Sequence, residues 1–251
     1  MADRVEIYPD GRALSIVAAQ LFLKLANRAI AEHGAFSVAL AGGATPRSIY
    51  SLLADPSFPQ SSGYEIDWKR VQLYWGDERC VPPDHPDSNY HMVFETLLSK
   101  TPIPLVNVHR MRGELGPVTA SEEYEQILHA AFGSQLRFDL IMLGIGEDGH
   151  TASLFPETPA VQVADRWVVG VEHRQPPEPL IDRVSLTLPA INSAYSIAFI
   201  VSGAKKAAIL RRVLQPGSSR DKLLPARLVQ PSHGNLLWLL DEEAARGLTT
   251  P

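Results

Sequence analysis

Cysteine is almost missing from this chain: Cys80 is the one example in 251 residues, which rules out an intramolecular disulfide and any metal cluster held by several thiolates. It lies between Arg79 and Val81 with no histidine beside it, so it reads as a small buried residue and not as a nucleophile. Long apolar runs are lacking as well. No stretch reaches the ~18 residues that a membrane-spanning helix needs, and the opening MADRVEIYPDGRALSIV has no basic segment leading into an apolar one. The expectation is a cytoplasmic protein with no membrane partner. Excess positive charge is absent too. Lys and Arg number 23 against 28 Asp and Glu, a net charge of −5, and the pI is about 5.9, so no nucleic-acid partner is expected. The Gly42–Gly43 turn fits neither GxGxxG nor a lysine-bearing P-loop, and the chain carries no HExxH and no GxSxG. These absences argue against a nucleotide phosphate at that turn, a zinc-protease helix and a serine nucleophile. No cofactor and no metal are expected.

What is present is ordinary for a globular enzyme. Hydrophobic residues make up 45% and charged residues 20%, enough for a sizeable core. Strands are predicted over residues 5–8, 36–40, 71–75, 138–143, 167–171, 183–188, 196–201 and 236–240, and helices over 12–33, 46–53, 88–98, 122–132 and 204–214. In the first helix Leu14, Val17, Ala18, Leu21, Leu25 and Ile30 recur at helical spacing, and Gly34 closes it. The strands are apolar throughout and do not alternate. That pattern predicts an α/β fold, a mostly parallel sheet covered by helices on both faces. Prolines at 82–86, 102–104, 176–179 and 216 fall between elements, and no linker or repeat interrupts the chain. Residues 1–251 are expected to form a single domain.

Three segments carry candidate chemistry. In VALAGGATPRSIY, Gly42 and Gly43 follow the second strand, and Thr45 and Pro46 open the next helix. Glycines let the backbone approach a ligand, and free N–H groups at a helix start favour an anion such as phosphate. A tight turn that binds nothing would have the same sequence. In YWGDERCVPPDHPDSNY, Asp77, Glu78 and Arg79 follow the third strand, at the carboxyl end where open α/β sheets take ligands. Arg79 can clasp a phosphate or carboxylate, and Asp77 can orient sugar hydroxyls or carry a proton. The alternative is a solvated loop whose charges pair with one another. Ser88 reads as a helix cap. In FDLIMLGIGEDGHTASLFP, a buried strand ends in Gly144-Ile145-Gly146, and Glu147, Asp148, Gly149 and His150 follow at once. A histidine beside carboxylates just past a strand is suited to general-base work near neutral pH, and either carboxylate can hold its ring. As metal ligands, Asp148 and His150 would need a third or fourth partner.

The succession AGGATP, WGDERCVP, GIGEDGHTASLFP, RVSLT and SGAKK, spread from about residue 5 to residue 240, resembles the 6-phosphogluconolactonases within the glucosamine-6-phosphate isomerase/deaminase superfamily. The block GEDGHTASLFP is the specific part; the glycine turn alone is not. The resemblance implies a Rossmann-like fold and hydrolysis of 6-phospho-D-glucono-1,5-lactone to 6-phosphogluconate in the oxidative pentose phosphate pathway. It implies that His150 is the general base with Asp148 as its carboxylate partner, and that Arg79, Arg183 and Lys206 hold the phosphate. Lys205 leaves the register open, and the Gly-x-x-Lys spacing from Gly203 favours Lys206. Amino-sugar deaminases continue after the histidine with an acid-bearing segment of the type HIAFNEP; here HTASLFP follows, with no acid before Glu157. Ala44 stands where many relatives have serine, which removes one hydroxyl donor.

The expected mechanism is metal-free. The substrate-binding set is Gly42, Gly43, Thr45, Asp77, Arg79, Arg183 and Lys206. This grip leaves C1 near His150, which takes a proton from water and returns it to the departing ring oxygen. N–H groups of a glycine loop stabilise the oxyanion, and no covalent intermediate forms. One alternative is a phosphosugar isomerase or deaminase, such as glucosamine-6-phosphate deaminase, with Asp77 as proton shuttle. Another is a non-catalytic sugar-phosphate sensor, against which stand the intact His150 loop and the lack of a helix-turn-helix before Gly42. A monomer or weak homodimer is expected.

Overall fold

The start of the first helix shows how local chemistry sets the elements. In the computed structural model, which describes residues 4–231 and 233–249, Asp10 caps this helix by accepting from the Ala13 N–H at 2.8 Å, and Gly34, at φ 89°, ends it. In chain order the main elements are β1 (Arg4–Tyr8), α1 (Gly11–His33), β2 (Phe36–Leu40), α2 (Ala44–Ala54), α3 (Ser57–Ser62), β3 (Val71–Trp75), β4 (Asp77–Arg79), α4 (Asn89–Thr96) and α5 (Pro117–Phe132), then β5 (Leu140–Leu143), β6 (Val168–Val171), β7 (Arg183–Leu186), α6 (Leu188–Asn192), β8 (Ser196–Val201), α7 (Ala207–Leu214), α8 (Pro225–Leu228), β9 (Asn235–Asp241) and α9 (Glu242–Ala245).

Among the described residues, six strands form one sheet in the order β1-β9-β8-β5-β2-β3, every pair parallel. Helices flank this sheet, as the non-alternating strands require: β5 is buried along its whole length. Phe199 and Trp238, on neighbouring strands, stack with ring centroids 3.9 Å apart in the core. The strand order reverses between β2 and β5. From β2 the chain runs outward to β3, while β5 begins the other half. A crevice opens there beyond the carboxyl ends of the strands.

Three expectations need correction. An 18-residue window of α1 has a mean hydropathy of 1.3, long and apolar enough by composition to cross a membrane, and 44% of it is buried in this molecule. Its apolar side, including Leu14, Ala18, Phe22 and Ala26, is spent on the core. Next, α5 starts at Pro117, five residues ahead of the predicted start at 122, because proline fits a first helical turn. Most important, residues 77–79 are not a loop. They are the edge of a second sheet, antiparallel, in the order β4-β7-β6. Gly76 joins the sheets: its N–H donates to Leu40 O at 2.9 Å, and its carbonyl accepts from Leu186 N at 2.8 Å.

Candidate active site

The crevice holds a cavity of about 220 Å³ lined by Gly42, Gly43, Asp77, Arg79, Asn89, Gly144, Ile145, His150, Ala152, Ser153, Phe155 and Arg183, among others. One end carries the glycine turn and two arginines. Gly43, at φ 106°, begins α2 without a side-chain cap, so the first N–H groups of that helix stay open. A Cβ on Gly42 would lie 1.9 Å from Asn89 Oδ1, so only glycine fits that contact. Arg79 and Arg183 sit opposite each other across β4 and β7, a like-charge pair that is unfavourable by itself. Backbone carbonyls hold both: Arg79 Nη1 donates to Asp87 O at 2.6 Å, and Arg183 Nε and Nη2 donate to Ile181 O and Pro179 O, each at 2.9 Å. Burial first, and then the charge of Arg79, lower the pKa of Arg183. Arg79 Nε is buried with no hydrogen-bond partner among the described residues. An anion between the two guanidinium groups would satisfy the open donor and cancel the repulsion.

The acids beside them are not a solvated, self-paired cluster. Glu78 is only 2% exposed and accepts from the N–H groups of Arg79, Asn89 and Tyr90, each at 2.7 Å, and from Ser88 Oγ at 3.1 Å. Burial pushes its carboxyl up to about 7 against the pull of the three N–H groups. Glu78 thereby ties the start of α4 to β4. Ser88 caps that helix through the His91 N–H as predicted, and in addition donates to Glu78. Asn89 Nδ2 then reaches Asp77 O at 2.9 Å and Oδ1 at 3.3 Å, while Asp77 Oδ2 accepts from Ser153 Oγ at 2.6 Å. Sequence reasoning named Glu78 without giving it a role and missed Asn89 and Ser153. The one available signal was the Ser88 cap, which places Asn89 at the first helical position.

At the other end, His150 Nδ1 lies 2.6 Å from Asp148 Oδ1, which also accepts the His150 N–H at 3.1 Å. Asp148, not Glu147, is the carboxylate that holds the ring. Burial works to raise the Asp148 carboxyl, but the hydrogen bond and charge of His150 outweigh it and hold it below its ordinary value. A Cβ on Gly146 would lie 2.1 Å from His150 Nδ1, so the imidazole rests directly on a glycine backbone. Phe155 packs on the His150 ring at 4.7 Å and stacks on the buried His173 at 4.1 Å. Thr45, in the first turn of α2, and Lys206, in the turn after β8, are not among the cavity-lining residues. Cys80 is partly buried, and burial pushes its thiol up to about 12, far from a thiolate at neutral pH. The described residues hold no group of three His, Cys, Asp or Glu placed to share a metal ion.

A glycine turn with two facing arginines, a histidine–aspartate pair and a parallel sheet with its crevice at the strand-order reversal define the class: an α/β protein with a polar crevice at the carboxyl ends of its strands. Residues 9–238 match the family described as glucosamine-6-phosphate isomerases/6-phosphogluconolactonase, and the chain belongs to it. A 6-phosphogluconolactonase of Nostoc sp. is 39% identical over 255 residues, covering 99% of this chain and all of that one. A human 6-phosphogluconolactonase is 39% identical over 98% of this chain and 94% of its own. The solved structure of the 6-phosphogluconolactonase from Trypanosoma brucei superposes with a TM-score of 0.86 at 26% identity, covering 98% of this chain and 99% of that one.

Proposed function

We propose that this protein hydrolyses 6-phospho-D-glucono-1,5-lactone to 6-phospho-D-gluconate, the lactone-opening step of the oxidative pentose phosphate pathway. The observation that carries this reading is the shared cavity: His150, held by Asp148, lines the same space as Gly42, Gly43, Arg79 and Arg183. The phosphate is gripped by the Gly42–Gly43 turn, with Thr45 in the same helix start, and by the facing arginines. Lys206 adds its charge from the turn after β8, a strand that neighbours β5 in the sheet. His150 removes a proton from the attacking water, a contribution of roughly 10²–10⁴-fold. Asp148 fixes the ring through Nδ1, leaves Nε2 for water, and stabilises the imidazolium. Both Asp77 oxygens are engaged, by Ser153 and Asn89, which favours an orienting role toward sugar hydroxyls over a proton shuttle. The same reading places the chain in the cytoplasm as a monomer or weak homodimer, for which light scattering is the test.

The functional test supplies the lactone in situ with glucose-6-phosphate dehydrogenase and follows 6-phosphogluconate formation. Acceleration over spontaneous hydrolysis is expected, with no ammonia released from glucosamine 6-phosphate. Ammonia release without lactone hydrolysis would overturn the assignment.

A further inference from the structure

The loop that carries His150 is folded back on itself by hydrogen bonds between its own residues. Thr151 Oγ1 donates to Gly144 O, Gly146 N–H to His150 O, and Leu154 N–H to Thr151 O, each at 2.9 Å. The C=O and N–H of a trans peptide point in opposite directions. The carbonyl of Gly144 is directed at the fully buried Thr151, so the N–H of that same peptide, on Ile145, points away from it. The carbonyl of Thr151 closes the turn onto Leu154, so the N–H of Ala152 points out of that turn. Ile145 and Ala152 both line the cavity beside His150, and neither N–H has an acceptor among the described residues. Backbone donors in such surroundings are nearly always paired. Ala152 is also held at φ 47°, a left-handed conformation that its Cβ disfavours and that persists only where the surroundings enforce it. They do: the next residue, Ser153, donates its N–H to Ser185 Oγ at 3.1 Å and its hydroxyl to Asp77 Oδ2 at 2.6 Å.

We infer that the N–H groups of Ile145 and Ala152 receive the lactone carbonyl oxygen as it becomes an oxyanion, and that Thr151 is the positioning residue that aims both. This rests on the lactonase reading above and names the electrophilic half of the same site. His150 Nε2 takes a proton from water, the water oxygen bonds to C1, and the carbonyl π pair moves onto the exocyclic oxygen between the two N–H groups. On collapse that pair reforms the C=O bond and the C1–ring-oxygen bond breaks. The His150 proton passes to the leaving ring oxygen. The Gly42–Gly43 turn is left free for phosphate.

The test replaces residue 145 or residue 152 by its α-hydroxy analogue, which exchanges one N–H for an ester oxygen and leaves the side chain unchanged. Each variant should lose roughly 10²-fold or more in kcat on the lactone, with unchanged affinity for D-glucitol 6-phosphate, which has the phosphate and no carbonyl group. Thr151→Val should show the same split, and Thr151→Ser should restore turnover. A kcat within about threefold of wild type in both ester variants would overturn the inference. Should an ester variant fail to bind D-glucitol 6-phosphate, the Thr151→Val and Thr151→Ser pair decides: equal activity in the two overturns it. His150→Ala in the same assay separates the two levels. If it alone is inactive, only the oxyanion assignment falls; if it too is active, the lactonase reading of the site falls.

Discussion

The two ends of the cavity are built from different material. The proposed anion end is assembled across the chain: the start of α2, the edge strand β4, and Arg183 on β7, about a hundred residues further on. Its cations are fixed by backbone carbonyls, and its carboxylates are consumed in holding segments together. The proposed hydrolytic end is nearly contiguous, from Gly144 to Phe155; bonds within the loop set most of its geometry, and Ser153 anchors it to Ser185 and Asp77. A grip made of long-range pairing and a reactive loop shaped mainly by local contacts should fail separately. Damage to one should show in affinity, and damage to the other in turnover.

The largest effect is expected at the reactive loop. His150→Ala should lower kcat by about 10²–10⁴-fold in the coupled lactone assay, with KM little changed. A large rise in KM there would blur the division. At the anion end, Arg79→Ala or Arg183→Ala should raise KM by roughly 10–100-fold, since each loses a charge-assisted contact of ~1.5–3 kcal/mol, while kcat stays within a few fold. Because Arg183 also ties down the carbonyls of Pro179 and Ile181, circular dichroism should accompany that variant.

Glu78 sharpens the comparison on the stability side. Its folded-state carboxyl is raised from 4.5 to about 7, chiefly by burial. Its contribution to stability is therefore full below the ordinary carboxyl value and fades as pH rises through about 7. Denaturant unfolding of wild type and Glu78→Gln across this range should show the difference moving in the variant's favour with rising pH; a constant difference would contradict the assignment. The smallest effect is expected from Lys206→Ala, a rise in KM below that of either arginine, because Lys206 does not line the cavity.

The same division explains what could be seen in the sequence. Strands at 36–40, 71–75 and 196–201 were predicted to the residue because strands buried on both faces are apolar throughout. The His150 loop was legible for a related reason: its functional contacts span only a few residues. The second sheet was not. Asp77, Glu78 and Arg79 have no apolar period, and their burial follows from pairing with residues 183–185, which no local pattern encodes. Asn89 and Ser153 gain their roles from the buried placement of Asp77, and went unseen because that placement did. Helix α3, SFPQSS, has no buried residue and therefore no apolar face to announce it. Thr45 came from the glycine-turn reading and Lys206 from resemblance, and the structure sets both outside the cavity lining.

The most direct measurement pairs turnover with calorimetric binding of 6-phosphogluconate for wild type, His150→Ala and Arg79→Ala. The account predicts that His150→Ala binds normally but scarcely turns over, and that Arg79→Ala binds poorly yet hydrolyses the lactone at near-normal kcat when saturated. Normal turnover in His150→Ala, or undiminished binding in Arg79→Ala, would contradict it.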